Sequence, residues 1–173
     1  KEAFVEKLDS LFTVSSVLEG AASPDISGLI GQYAHGNEPS HHMAYLYNWT
    51  DSPWKGQAYL DFIMRNFYTN QPDGIIGNED CGQMSAWYVM SAIGLYQVCP
   101  GNPVYTLGRP MVKKATLPMR KGNLEIIAHN NSAANKYVKE VKWNGKTLEK
   151  PFISHSELTQ GGKLEFFMSD THN

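Results

Sequence analysis

Polar residues with the chemistry of a binding site fill the segment HGNEPSHH, residues 35–42. Pro39 restricts Glu38 to an extended conformation, so Asn37 and Glu38 are expected to present adjacent oxygen atoms of the kind that Ca²⁺ prefers. The histidines of the segment could ligate a transition metal or hydrogen-bond the hydroxyl groups of a sugar. The alternative is an elaborate helix start on a solvated turn, with Ser40 as its N-cap. A cap needs only one polar residue, which favours a functional site.

A second polar segment, GNEDCGQ at residues 77–83, leads directly into an apolar run. Glu79 and Asp80 are adjacent carboxylates at a predicted helix N-terminus, where the helix dipole stabilises ionised groups by about 0.3–1 kcal/mol each. Capping of this kind is common on surface helices. The helix that follows is too apolar for a surface position, so the pair is expected at the wall of a cavity. An ionised carboxylate in such a place suits general-base activation of water.

Helical periodicity positions both segments and extends over residues 1–96. Apolar side chains recur at three- and four-residue steps over residues 4–12 and 43–47, which predicts amphipathic helices. Pro53 is a favourable first-turn residue and opens a further helix. The run at 83–96 is apolar on nearly all sides and predicts a helix buried in a larger assembly. Because so few helices cannot close a helical barrel, we expect an N-terminal portion of the same protein to complete it.

Strand signals replace helical periodicity over residues 97–173. Turn residues recur at intervals along this half, and short alternating apolar runs lie between them. Asn144 and Gly145 form the strongest hairpin signal, because a two-residue type I′ turn needs positive φ at both positions. The sequence therefore predicts an α+β protein, with a helical segment at 1–96 and a small antiparallel β region at 97–173.

Composition excludes several classes of partner. Hydrophobic residues make up 42% of the chain and charged residues 18%, which predicts a packed core rather than disorder. The formal net charge of −2 disfavours a surface that binds nucleic acid or anionic lipid. The longest apolar runs are too short for a membrane span. We therefore expect no nucleic-acid partner and no membrane span in this chain.

Both polar segments, extended to residues 35–48 and 77–96, resemble the signature blocks of glycoside hydrolase family 92. The runs PGNPVYTLGRP at 100–110 and HNNSAANKYVKEVKWNGKTL at 129–148 fit the same family, in order and with sensible spacing. The resemblance implies the C-terminal helices of an (α/α)₆ catalytic barrel, followed by a small β-sandwich or sheet region. It also implies a Ca²⁺-dependent, inverting exo-α-mannosidase, with α-1,2-mannosides in mannose-containing glycans as expected substrates. Such enzymes are typically secreted, periplasmic or cell-envelope proteins of bacteria.

The resemblance also implies roles for individual residues. The general base falls in the NED block, with Asp80 as the first choice and Glu79 as the second. Asn37 and Glu38 belong to the Ca²⁺ neighbourhood, with Gln83 behind them. The expected sugar contacts are three histidines, His35, His41 and His42.

The general acid of the family is a glutamate upstream of these blocks, and this chain has no counterpart for it. We therefore expect the acid to come from the N-terminal portion of the same enzyme, and the isolated chain to be inactive.

Two other functions compete with this interpretation. The β half could be a carbohydrate-binding or accessory domain, but such a module would carry its polar and aromatic groups on the strands. Here the clustered polar loops lie in the helical half. The second alternative is an (α/α)-barrel glycosidase of other sugar specificity, which the pattern of the two motif segments disfavours.

Overall fold

The computed structural model describes residues 1–17, 20, 23 and 26–172, and its helical elements come first. They are α1 (Glu2–Thr13), α2 (Pro53–Asn66) and α3 (Gln83–Ala92), with β1 (Leu29–Ile30) and β2 (Tyr33–Ala34) forming a short hairpin after α1. Leu8 and Phe12 bury the apolar face of α1, as their spacing predicts. Pro53 lies in the first turn of α2, so the helical prediction for these two segments is confirmed.

The segment Met43–Trp49 forms a 3₁₀ helix rather than the predicted amphipathic α-helix. Side chains at i and i+3 of a 3₁₀ helix eclipse, so Ala44 and Tyr47 face the same neighbour. That neighbour is α2, where a β-carbon on Gly56 would lie 2.3 Å from the Ala44 carbonyl oxygen and 3.2 Å from Tyr47 Cβ. The tighter winding fits this close contact, which apolar periodicity alone does not reveal.

Helix α3 ends at Ala92, before the predicted end at Tyr96. Gly94 has a φ of +85°, a left-handed conformation that ends the helix. A β-carbon at this position would also lie 2.9 Å from Phe166 Cζ. The chain changes from helices to strands at Leu95.

The strands that follow α3 form two sheets in the described part of the chain. They are β3 (Leu95–Tyr96), β4 (Val104–Leu107), β5 (Lys114–Met119), β6 (Gly122–His129), β7 (Tyr137–Trp143), β8 (Lys146–Thr147), β9 (Phe152–Ser154) and β10 (Gly162–Ser169), with the short helix α4 (His155–Leu158) after β9. One sheet has the order β5-β6-β10-β7-β8 and the other the order β3-β4-β9. The predicted hairpin is present, because β7 pairs with β8 and both Asn144 and Gly145 have positive φ.

The larger sheet is mixed, whereas the sequence predicts an antiparallel one. Strand β10 inserts between β6 and β7, running antiparallel to β7 and parallel to β6. The segment 130–136 joins β6 to β7 and leaves room for this central strand. Strand β10 places Leu164 and Phe166 in the core at 0% exposure. The α+β class is confirmed, and the purely antiparallel arrangement is corrected.

A buried ion pair joins the helical half to the strand half. Arg109 is 0% exposed, and its Nε lies 3.0 Å from Asp61 Oδ1 on α2. The two Arg109 amino groups donate to the carbonyl oxygens of Pro110 and Ser132. Asp61 also accepts a hydrogen bond from Arg65 Nε at 2.9 Å. One carboxylate therefore serves two guanidinium groups at the junction of the halves.

Large apolar side chains remain exposed on the outer faces of the helices. Val89 on α3 is 58% exposed, and Phe62 on α2 is 45% exposed. The sequence predicts that α3 is buried all round, but in this chain α3 is buried on one side. Among the described residues, none of the helices combines the length and apolar character needed to cross a bilayer.

Candidate active site

The segment 35–41 is a closed loop. The main-chain N–H groups of His35 and Gly36 donate to the carbonyl oxygens of Gly28 and Ser27, which tie the start of the loop to β1. At its other end, the His41 ring donates from Nε2 to the His35 carbonyl oxygen at 3.0 Å. The two ends of the loop are thus joined by a side chain.

The apex of this loop carries the two residues assigned to the metal neighbourhood. Asn37 is the extended residue, with φ −125° and ψ 120°. Glu38 begins the 3₁₀ turn Glu38–Ser40 rather than being extended as predicted, because Pro39 suits an early position of a helical turn. Glu38 and Asn37 are both half-buried, so their side chains can reach solvent.

His35 is the most enclosed of the predicted site residues, with 0% exposure. Its Nδ1 lies 2.7 Å from the Tyr33 hydroxyl and its Nε2 lies 2.7 Å from the Tyr68 hydroxyl. The Trp87 ring packs edge-on at 4.5 Å between centroids. Burial lowers the pKa of His35 to about 3, so the ring is neutral near pH 7.

His41 is also buried, at 1% exposure. Its Nδ1 lies 3.4 Å from Gln83 Nε2, so the glutamine amide donates to the ring. Burial lowers the pKa of His41. The Trp87 indole Nε1 donates to the His41 carbonyl oxygen at 3.0 Å. His42, the third predicted sugar contact, is half-buried.

The second motif reaches α3 through three consecutive residues with positive φ, namely Asp80 at 50°, Cys81 at 56° and Gly82 at 94°. Left-handed backbone is uncommon for residues other than glycine, and it clusters at functional sites. The turn leaves Asp80 exposed.

Glu79 has a structural role at the start of α3. Its Oε1 accepts from the Ser85 backbone N–H at 3.1 Å, and its Oε2 accepts from the Ser85 hydroxyl at 3.0 Å. A carboxylate bound to N–H groups at a helix N-terminus caps the helix and compensates its dipole. Both oxygens of Glu79 are therefore engaged within the protein.

The two motif loops meet at glycines. A β-carbon on Gly77 would lie 3.1 Å from Gly36 Cα and 2.8 Å from Ser27 Oγ. This close backbone contact brings the Glu38 and Asp80 side chains within reach of each other. Hydrogen bonds from its own backbone N–H and from Asp80 lower the pKa of Glu38.

The donor chemistry at the loop apex suits Ca²⁺, because the Glu38 carboxylate and the Asn37 amide carry hard oxygen ligands. Ca²⁺ takes 6–8 oxygen ligands, and within the described residues no group of three or more His, Cys, Asp or Glu side chains is arranged to hold a metal ion. Remaining ligands would have to be amides, main-chain carbonyls, water or substrate.

Sequence reasoning missed Tyr33 and Tyr68, which enclose His35. The Tyr33 contact has a local signal, because residues at i and i+2 near a strand point to the same side. Tyr68 lies 33 positions from His35 in sequence and no local pattern indicates it. It also lines a cavity of about 380 Å³ with Tyr88 and Ser85, which is separate from the Glu38–Asp80 junction.

Comparison with known proteins identifies the same family as the motifs. The model of the glycosyl hydrolase family 92 catalytic domain matches residues 1–170. The chain is 25% identical over 134 residues to an uncharacterized secreted glycosidase of Arthroderma benhamiae, covering 75% of this chain and 17% of that protein.

Two solved structures from Bacteroides thetaiotaomicron match the fold. The family GH92 α-mannosidase BT3965 in complex with mannoimidazole is 46% identical, with a TM-score of 0.93 over 99% of this chain and 23% of its own. The family GH92 inverting mannosidase BT2199 is 37% identical, with a TM-score of 0.83 over 99% of this chain and 25% of its own. The chain thus spans about a quarter of the length of these solved relatives.

Proposed function

Because this chain belongs to the glycosyl hydrolase family 92 catalytic-domain family, we propose that the enzyme containing it is a Ca²⁺-dependent exo-α-mannosidase that inverts the anomeric centre. Its substrates are terminal α-1,2-linked mannosides of glycans, and it acts outside the cytoplasm. The observation that carries the proposal is the meeting of the two motif loops at Glu38 and Asp80. The mannoimidazole complex of one relative and the inverting mannosidase activity named for another support it.

Asp80 is the proposed general base. It is exposed, so a water molecule can reach its carboxyl group, whereas both oxygens of Glu79 bind Ser85. A base must lie within hydrogen-bonding reach of the proton that it removes. The Asp80 carboxylate would accept a proton from water as that water attacks the anomeric carbon.

The general acid must come from another part of the enzyme. In an inverting glycosidase the two carboxyl groups lie about 6.5–9.5 Å apart, on opposite sides of the scissile bond. Glu38 interacts with Asp80, and Glu79 is its neighbour in sequence, so neither can stand across a sugar ring from it. The preceding portion of the enzyme would supply the acid.

Ca²⁺ is proposed to bind at the loop apex. Glu38 and Asn37 would hold it, with Gln83 behind them. The Gln83 amide nitrogen bonds His41, so its amide oxygen is the atom that would face the ion. When bound, the ion would supply a Lewis-acid contact for sugar hydroxyl groups. Residues of this chain near the ion would hold the sugar. Among the three candidate histidines, His42 has the exposure needed for a sugar contact.

The two halves of the chain have different proposed roles. Residues 1–96 contribute helices and both motif loops to the catalytic barrel, and residues 97–173 form the β region that supports them through the Asp61–Arg109 pair. The N-terminal portion of the enzyme is the proposed partner of the exposed faces around Val89 and Phe62. An accessory binding domain would not explain polar loops confined to the helical half.

The test compares Asp80→Asn with Glu79→Gln in the complete enzyme. We expect Asp80→Asn to lower kcat by about 10³-fold or more while binding of mannose-based ligands survives, because the change removes proton abstraction. Glu79→Gln should keep most of kcat and lose thermal stability, because it weakens a helix cap. Near-normal kcat in Asp80→Asn with a dead Glu79→Gln would instead make Glu79 the base. Full activity in both would make the whole acidic block structural.

A further inference from the structure

We propose that His35 and His41 are positioning residues that close the 35–41 loop and hold Glu38 opposite Asp80, rather than groups that touch the sugar. The inference rests on the proposed function, because it assigns these residues to the geometry of that same site. It follows from the contacts of the two rings, each of which uses both nitrogens on protein partners.

The hydrogen bonds of His35 can be assigned a single direction. The Tyr68 hydroxyl donates to the Met84 carbonyl oxygen at 3.3 Å, and a phenol has only one proton to donate. Tyr68 therefore accepts from His35 Nε2–H, and the free Nδ1 of the ring accepts from the Tyr33 hydroxyl. The result is a four-group chain that connects β2 to the first turn of α3.

The hydrogen bonds of His41 are equally constrained. Its Nε2 faces the carbonyl oxygen of His35, which can only accept, so Nε2 carries the proton. Its Nδ1 then accepts from the Gln83 amide. Because Gln83 is the first residue of α3, this ring also links the loop to the start of that helix.

Both chains of contacts end on the helix that follows Asp80 in sequence. His35 reaches it at Met84, His41 reaches it at Gln83, and Trp87 holds the His41 carbonyl oxygen. The main-chain hydrogen bonds of residues 37–40 are local: the Asn37 N–H donates to the Ala34 carbonyl oxygen, and the rest lie within the turn. The separation between the loop apex and Asp80 therefore depends on the two rings. A histidine that only filled the core could satisfy its two ring nitrogens with any nearby partners. The attachment of both rings to α3 therefore favours a positioning role.

The first test removes single hydroxyl groups in the complete enzyme. Tyr68→Phe keeps the ring packed against Trp87 and deletes the acceptor of His35 Nε2–H. We expect kcat to fall by about tenfold to a hundredfold, the cost of a misplaced catalytic group, while KM stays within about threefold. Tyr88→Phe is the matched control, because its ring lies 4.7 Å from that of Tyr68 and it should keep wild-type kcat and KM. An unchanged kcat in Tyr68→Phe would overturn the proposal.

The second test asks whether an N–H donor at position 41 is sufficient to restore kcat. His41→Leu removes the Nε2–H donor, and His41→Gln places an amide N–H at a similar distance from the main chain. We expect His41→Leu to lose kcat and His41→Gln to recover at least about a third of it. A rise in KM with kcat retained in both variants would make His41 a sugar contact and would refute the positioning role.

Hydrogen exchange separates failure of this inference from failure of the proposed function. In His41→Leu and Tyr68→Phe, the amides of residues 36–38, 40 and 41 should exchange at least about tenfold faster than in wild type, with Tyr88→Phe unchanged. This readout does not require mannosidase activity. If wild type hydrolyses no α-mannoside but the loop loosens as expected, the proposed function fails and the positioning role stands. If protection is unchanged, the positioning role fails whatever the activity.

Discussion

Substitution of Gly77 tests the close approach of the two motif loops. At a φ of +78°, an alanine pays about 1–2 kcal/mol for its left-handed backbone. Its β-carbon would also lie 3.1 Å from Gly36 Cα and 2.8 Å from Ser27 Oγ. The serine hydroxyl can rotate away, but the Gly36 backbone must move by a few tenths of an ångström. Overpacking of this kind costs about 1–3 kcal/mol, so Gly77→Ala should destabilise the protein by about 2–5 kcal/mol in total.

Gly101→Ala is the matched control, because Gly101 has a φ of +84° and no atom within 4 Å of an added β-carbon. Gly101→Ala should therefore cost only the free energy of placing alanine in left-handed backbone, about 1–2 kcal/mol. Both variants are made in the complete enzyme, and thermal melting is measured beside kcat. We expect Gly77→Ala to melt at a lower temperature than Gly101→Ala and to lose at least about tenfold in kcat, because the loops that carry Glu38 and Asp80 are pushed apart. Equal melting temperatures, or a normal kcat in Gly77→Ala, would refute the idea that this contact sets the site.

Two further changes test the metal neighbourhood and the junction of the halves. Glu38→Gln should raise the Ca²⁺ concentration for half-maximal activity by about tenfold or more, because a neutral amide replaces a charged oxygen ligand; titration of Ca²⁺ into chelator-treated enzyme measures this. The exposed Glu149→Gln is its control, and an unchanged Ca²⁺ requirement in Glu38→Gln would remove Glu38 from the metal neighbourhood. Asp61→Asn should destabilise the fold by about 3–5 kcal/mol, because it leaves the buried Arg109 without its counter-charge. Arg65→Gln removes the more exposed partner and should cost no more than about 1 kcal/mol; equal melting temperatures for the two variants would contradict this account.

Local chemistry in the sequence was sufficient for part of the fold. The hairpin at Asn144 and Gly145 needs only two residues that tolerate positive φ, and Pro53 begins α2 because its fixed φ suits a first turn. The position of β10 was not predictable in this way. Its parallel neighbour β6 lies about 40 residues earlier, and the connection runs through β7, β8, β9 and the four-residue helix α4, not through the single long helix that signals a crossover. Alternating patterns indicate strands but do not specify which strands pair.

The candidate site could likewise be predicted from the sequence only in part. The sequence identified both motif loops and the residue types that they carry, because clustered polar residues at helix starts are visible locally. It did not reveal that His35 is enclosed, because enclosure depends on Tyr68 and Trp87, which are distant in sequence. Nor did it separate the roles of Glu79 and Asp80. That separation depends on one left-handed turn, which directs Glu79 to Ser85 and leaves Asp80 facing the other loop.

The arrangement of the site follows from how the chain can bring two loops into contact. A side chain at position 77 would press against the Gly36 backbone, so glycine is required at this point of contact. Glycine gives no side-chain packing and makes the contact flexible. Rigidity must therefore come from neighbouring residues, and the buried rings of His35 and His41 supply it through hydrogen bonds that reach α3 at Met84 and Gln83. Glycine allows the two motif loops to approach closely, and the histidines fix them there. The loops can then hold the Glu38 and Asp80 carboxyl groups together, although two ionised carboxylates repel each other.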